Sequence, residues 1–208
     1  MLCVLTAACR PSDKDLVEFY SRDNYVSNGD TAFEAVYNIQ PIEIGKVFGI
    51  IYNELGRIEI CEIIGENRDE WIYMHFPGRM MVGNGDVYKA VNIPDFGFDS
   101  FGVTTIEIRG FGIFHRNPTS IISDQSVIDE TIDALTSSGD KSILEEGMRI
   151  NASKMLILLS SNYPGLKYES TFYRDGLGKR YLSKIEDFSR IIEIGEFLDQ
   201  YIIGRSGV

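Results

Sequence analysis

From about residue 31 to 114 the chain alternates short runs of β-branched and aromatic residues with glycine-centred turns, a pattern that admits few folds. Residues 46–52, 57–64, 70–76, 87–93 and 103–114 read as strands, because Val, Ile, Tyr and Phe fit a pleated surface. Asn53-Glu54-Leu55-Gly56 and Gly65-Glu66-Asn67-Arg68-Asp69 are polar connections. Gly83-Asn84-Gly85-Asp86 is the strongest hairpin signal, since Asn and Gly accept positive φ. Strands joined by such short turns run antiparallel. In 103–114, Thr104, Ile106 and Ile108 share one face, whereas Phe111 and Ile113 fall on the other parity after Gly110. A glycine at such a switch predicts a bulge or bend that curves the sheet.

Beyond Ser123 the pattern turns helical. Ser123 caps a segment carrying Val127, Ile128, Thr131, Ile132 and Leu135 and ended near Gly139. Met155-Leu156-Ile157-Leu158-Leu159 fits a buried strand or a helix end equally well, so 140–160 stays open between the two. Residues 166–174 and 179–182 pair across Asp175-Gly176-Leu177-Gly178. Ser183 and Glu186 form a capping box. Ile185, Phe188, Ile192, Gly195, Leu198 and Ile202 follow at helical spacing up to Gly204, which predicts a C-terminal helix of about 20 residues. Near the start, Ser12 with Asp15 fits a helix cap, and Leu16, Val17, Phe19 and Tyr20 form one apolar face after it. The expected fold class is therefore α+β: a curved, mainly antiparallel sheet with an N-terminal helix, a middle helix and a long C-terminal helix packed on it. No repeat, low-complexity tract or linker interrupts residues 9–208, so a single domain is expected there.

The first nine residues are a different kind of signal. They form a short apolar run with Ala7 and Ala8 directly before Cys9. Leu5-Thr6-Ala7-Ala8-Cys9 resembles the lipobox that ends a bacterial lipoprotein signal, where small residues fit the peptidase groove. Leu5 lies one place further from Cys9 than the usual apolar position, and no Lys or Arg precedes Cys9. The resemblance implies removal of residues 1–8, a lipid on the Cys9 sulfur and a periplasm-facing place at the cell envelope. Read without it, the same run is a first strand or tail of a cytoplasmic protein. Arg10-Pro11-Ser12-Asp13 stops the apolar run at the cysteine, as a tether to a lipid-anchored domain requires.

Charge narrows the partners. The 208 residues carry a formal net charge of −11, which repels a nucleic-acid backbone and suits a basic protein partner. Of Cys3, Cys9 and Cys61, only Cys61 remains after cleavage and lipidation, so no disulfide framework is expected. Its neighbours Glu59 and Glu62 disfavour a thiolate, which makes it a structural cysteine. With His75 and His115 as the only histidines, and no paired cysteine motif, no metal or other cofactor is expected. No phosphate-binding glycine loop, Gly-x-Ser-x-Gly or His-Glu-x-x-His occurs.

The candidate site residues are few. His75 shares a strand face with Trp71 and Tyr73, where it could serve as a general base or simply pack on its neighbours. Phe96, Phe98 and Phe101 lie among glycines and acids; exposed, they would form a binding patch, and tucked in, a compact loop. Arg174, Lys179 and Arg180 form a basic hairpin end in an acidic chain, a second candidate binding surface. The expectation is a small lipoprotein that acts through binding, as an inhibitor or immunity-type protein whose only membrane contact is the lipid. The alternative is a cytoplasmic interaction module or an enzyme of unknown class with a cleft near His75.

Overall fold

The computed structural model describes residues 15–22, 24–54, 56–77, 85–94, 96–110, 117–139, 141–142, 150–185 and 189–202. Contacts group the chain into two compact units, 1–36 with 43–94, and 37–42 with 95–208. No composition change or linker marks these boundaries in the sequence.

In chain order the first unit opens with β1 (Val17–Glu18), β2 (Tyr20–Arg22), β3 (Tyr25–Ser27) and β4 (Ala32–Val36). β5 (Ile39–Pro41) belongs to the second unit. The first unit resumes with β6 (Ile44–Asn53), β7 (Gly56–Ile63), β8 (Trp71–His75) and β9 (Gly85–Ala90). Its strand order is β1-β6-β7-β8-β9-β4-β3-β2. The two ends of that order are consecutive in sequence, separated only by Phe19. β1 pairs with β6 in parallel, and β2 pairs with β3 antiparallel. One segment thus seams both edges, giving a nearly closed, barrel-like sheet. Closure removes the unpaired edges that would invite aggregation.

Alternation sets the interior. Phe19, Val26, Phe33, Ile51, Ile58, Ile60, Ile72, Met74, Tyr88 and Ala90 form its core cluster. Phe19 meets Phe33 and Phe48 at centroid distances of 6.3 and 5.8 Å. Its ring occupies the space that a Cβ on Gly49 would need, so a glycine at that point lets β1 lie against β6.

The second unit continues with α1 (Phe98–Phe101), β10 (Val103–Gly110), β11 (Ser120–Ile122), α2 (Gln125–Thr136), β12 (Lys141–Ser142), β13 (Ile150–Ser160), β14 (Leu166–Asp175), β15 (Arg180–Ser183), β16 (Arg190–Ile194) and α3 (Asp199–Ile202). Its sheet runs β11-β10-β13-β14-β15-β16-β12, with β5 also paired to β14. Every pairing within it is antiparallel. Ile106, Ile108, Leu156, Leu158 and Leu182 share its buried face through the register. α2 packs on β10, β15 and β16 through Val127, Ile128, Thr131 and Leu135.

Several sequence expectations need correction. The described residues are mostly β, with three short helices, rather than α+β. Among the described residues no long C-terminal helix occurs. Ile191-Ile192-Glu193-Ile194 instead forms most of β16, paired with β15 from Ile191 opposite Ser183 to Ile194 opposite Arg180. Clustered β-branched side chains lose rotamer freedom in a helix and suit a pleated sheet, and that preference overrides the fortuitous helical spacing. Ser183 does not cap a helix: its Oγ accepts the Thr171 N–H at 2.8 Å. The N-terminal helix is likewise replaced by β1 and β2, where Phe19 finds a core pocket that alternation serves directly. The middle helix is present, capped by Asp124, whose side chain accepts the Ser126 N–H at 3.0 Å, rather than by Ser123. The open segment 140–160 resolves at 150–160 as β13. The expected switch after Gly110 and the tip of the β8–β9 hairpin lie outside the described residues.

Candidate functional site

His75 is the last residue of β8, and its candidate site grows from the alternation of β7, β8 and β9. Ile58, Ile60, Ile72, Met74, Tyr88 and Ala90 point into the barrel-like sheet. Glu59, Cys61, Trp71, Tyr73, His75, Val87 and Lys89 therefore share the other face. The register sets Glu59 opposite His75 and Cys61 opposite Tyr73, with His75 opposite Gly85 and Trp71 opposite Lys89. Glu59, Cys61, Trp71, Tyr73, Val87 and Lys89 are all buried, so these strands are covered on both faces.

The charges on this face are held in pairs. Arg57 bonds Glu59 at 2.9 Å. Lys89 bonds its cross-strand neighbour Glu34 and donates to the Ile93 carbonyl at 3.2 Å. Burial, reinforced by the Glu59 carboxylate, pushes the Cys61 thiol up to about 12. Burial first, then the Asp86 carboxylate and Cys61, raises the Tyr73 phenol. Both groups are thereby kept protonated, the opposite of what a nucleophile needs. The His75 ring stacks on Tyr73 at 6.3 Å and 27°. Its Nδ1 is buried with no hydrogen-bond partner among the described residues. A Cβ on Gly85 would meet the Met74 carbonyl and the Tyr73 ring, so glycine is what allows the Tyr73 ring to lie against β9. Among the described residues no group of three or more His, Cys, Asp and Glu converges to hold a metal ion.

The phenylalanine segment makes an aromatic cluster within the second unit. Phe101 is fully buried, stacked on Tyr163 at 5.9 Å and edge-on to Tyr168 at 5.0 Å. Phe96 meets Tyr163 at 4.9 Å and Phe98 meets Tyr168 at 5.1 Å. α1 turns the chain so that these rings reach their partners, with Ser100 Oγ accepting the Gly97 N–H at 2.9 Å. The three rings are brought together as packing groups, with Phe96 and Phe98 partly exposed.

The basic hairpin is answered by acids. Lys179 bonds Glu193 at 3.1 Å, which raises its pKa. Arg180 makes a two-pronged contact with Asp199 and reaches Glu196 at 3.1 Å. That contact holds the Asp199 carboxyl below the usual carboxylate range. The hairpin turn is fixed by Asp175, whose Oδ1 accepts the Leu177 and Lys179 N–H groups at 2.9 and 2.8 Å. Arg174 closes β14 beside this turn. Cys9, the lipidation candidate, lies outside the described residues.

Sequence reasoning missed a set of outward tyrosines. Tyr20, Tyr25 and Tyr52 sit on β2, β3 and β6 with their side chains exposed. Strand parity for residues 17–22 would have found the first of them, but the helical reading hid it. Comparison with protein-family models, with curated proteins and with solved structures found no match to this chain.

Proposed function

We propose that the protein acts by binding rather than by catalysis, held at the cell envelope by a lipid on Cys9 and offering an acidic surface to a basic protein. An inhibitor or immunity-type role follows from that combination. The observation that carries the reading is how several of the described cations are held by neighbouring acids. Arg180 is shared by Glu196 and Asp199, Lys179 is bound to Glu193, and Lys167 lies 2.7 Å from Glu169. Arg109 and Lys89 are likewise engaged by Glu107 and Glu34. With these cations answered locally, the net charge of −11 is left to the surface as an acid excess. Such a surface steers a basic partner and raises its association rate. The raised Cys61 thiol and Tyr73 phenol argue in the same direction, because neither offers His75 a thiolate or phenolate to work with.

The enzyme reading keeps one favourable observation, the His75 Nδ1 that has no hydrogen-bond partner among the described residues. A packed imidazole explains it equally well, since its ring stacks on Tyr73. Growth of cells with an alkyne-bearing palmitate tests the anchor. Label is expected on the wild-type chain and absent from Cys9→Ala. An unlabelled wild type, or equal label on the variant, contradicts the reading.

A further inference from the structure

We propose that the tyrosine face at one end of the barrel-like sheet rests on the headgroup region of a phospholipid bilayer, as a second membrane contact beside the lipid on Cys9. The inference deepens the envelope reading and rests on it for the presence of a membrane nearby. Phe19, Val26 and Ile51 point into the core, so Tyr20, Tyr25 and Tyr52 point out of it. They are 62%, 49% and 59% exposed. Val17 and Glu18 register in parallel with Gly49 and Ile50, which brings Tyr20 level with Tyr52 two residues further on. Tyr20 pairs with Ser27 and Arg22 with Tyr25 across the next ladder. Three exposed phenols and the exposed Arg22 therefore gather on adjoining strands, at the end where β2 turns into β3 and β6 into β7.

This chemistry fits a bilayer surface. A tyrosine is an apolar ring with a polar tip, and such side chains settle at headgroup depth, where the ring leaves water and the hydroxyl stays wet. The guanidinium of Arg22 can donate to lipid phosphates. Glu18 projects from the same side by alternation, so the patch carries little net charge and depends on ring burial more than on anionic lipid. The tether brings the face close: Cys9 stands eight residues before Val17, and eight extended residues span at most about 29 Å. That is less than the length of β6, ten residues at about 3.3 Å each. A single acyl chain gives only reversible attachment, so a second contact has a physical task.

The test uses the 208-residue chain carrying Cys9→Ser, so that no lipid contributes, with sedimented vesicles of phosphatidylcholine alone or mixed with phosphatidylglycerol. Partitioning is expected on both, somewhat weaker with the anionic lipid, because the chain carries a net charge of −11 and binding rests on ring burial. In Tyr20→Ser/Tyr25→Ser the partition constant is expected to fall about tenfold, from the ring area returned to water. Tyr52→Ser, on a different strand, should give a smaller loss. Urea midpoints should stay near the wild-type value, because the changed side chains are exposed. No sedimentation with either vesicle overturns the proposal and leaves the face to a protein partner. Equal partitioning of the double variant also overturns it. Loss of acyl label with partitioning retained removes the anchor and keeps the face; label without partitioning removes the face alone.

Discussion

Nδ1 of His75 is buried without a partner among the described residues, and an unsatisfied buried nitrogen costs about 1–3 kcal/mol. A phenyl ring keeps the stacking on Tyr73 and removes the orphan. His75→Phe is therefore expected to leave stability unchanged or raise it by about 1 kcal/mol, read from urea unfolding. A loss greater than that would mean that the imidazole makes a bond the packing reading omits. Cys61 gives a prediction with a definite sign. Its pKa rises on folding from 9.0 to about 12, so the folded chain keeps a proton that the unfolded chain releases. The stabilisation is complete below pH 9 and is lost as pH climbs toward 12, by up to about 1.4 kcal/mol per pH unit. Cys61→Ala should flatten that alkaline slope, and the thiol should resist alkylation at pH 8 until the chain unfolds. Asp199 works at the acid end. Arg180 depresses its pKa, so its contribution is present above the ordinary carboxylate value and is lost as pH falls through the folded one. Asp199→Asn should make stability less sensitive to acid in that window.

At the scale of elements, residues 17–22 close the first sheet, and their hold depends on one ring. Phe19 fills the space beside Gly49 and is buried among aromatic neighbours. Phe19→Ala is expected to cost about 3–5 kcal/mol and Gly49→Ala about 1–3 kcal/mol by overpacking, both measured by denaturant unfolding. A Gly49→Ala chain as stable as wild type would contradict the seam. The strands at 44–63 and 71–75 were legible because β-branched alternation and short turns act locally. The hairpin at 166–183 was legible for the same reason. Residues 17–22 and 190–194 were not, since their apolar positions satisfy both periods. Only partners remote in sequence, β6 for the first and β15 for the second, decide between helix and strand. The candidate site was legible in part. Alternation put His75, Tyr73 and Trp71 on one face, but the burial of that face is a tertiary fact. Pairing of Arg180 with Asp199, across nineteen residues, was equally out of reach while 183–202 read as helix.

At the scale of the whole molecule, the acid excess and the lipobox-like segment are the grounds for one proposal: a chain that is held by a lipid anchor and whose charge attracts its partner. Electrostatic attraction of that kind weakens with ionic strength, because the Debye length shortens from about 10 Å at 0.1 M to about 3 Å at 1 M salt. The anchor claim is the sharper of the two and sits on one atom, the Cys9 sulfur. The most direct measurement is the intact mass of the protein purified from the membrane fraction of bacterial cells expressing it from its full coding sequence. The account predicts a chain beginning at Cys9, heavier than residues 9–208 by the mass of acyl groups, with the added mass retained on the N-terminal peptide. An unmodified chain that still carries Met1–Ala8, recovered from the soluble fraction, would contradict it.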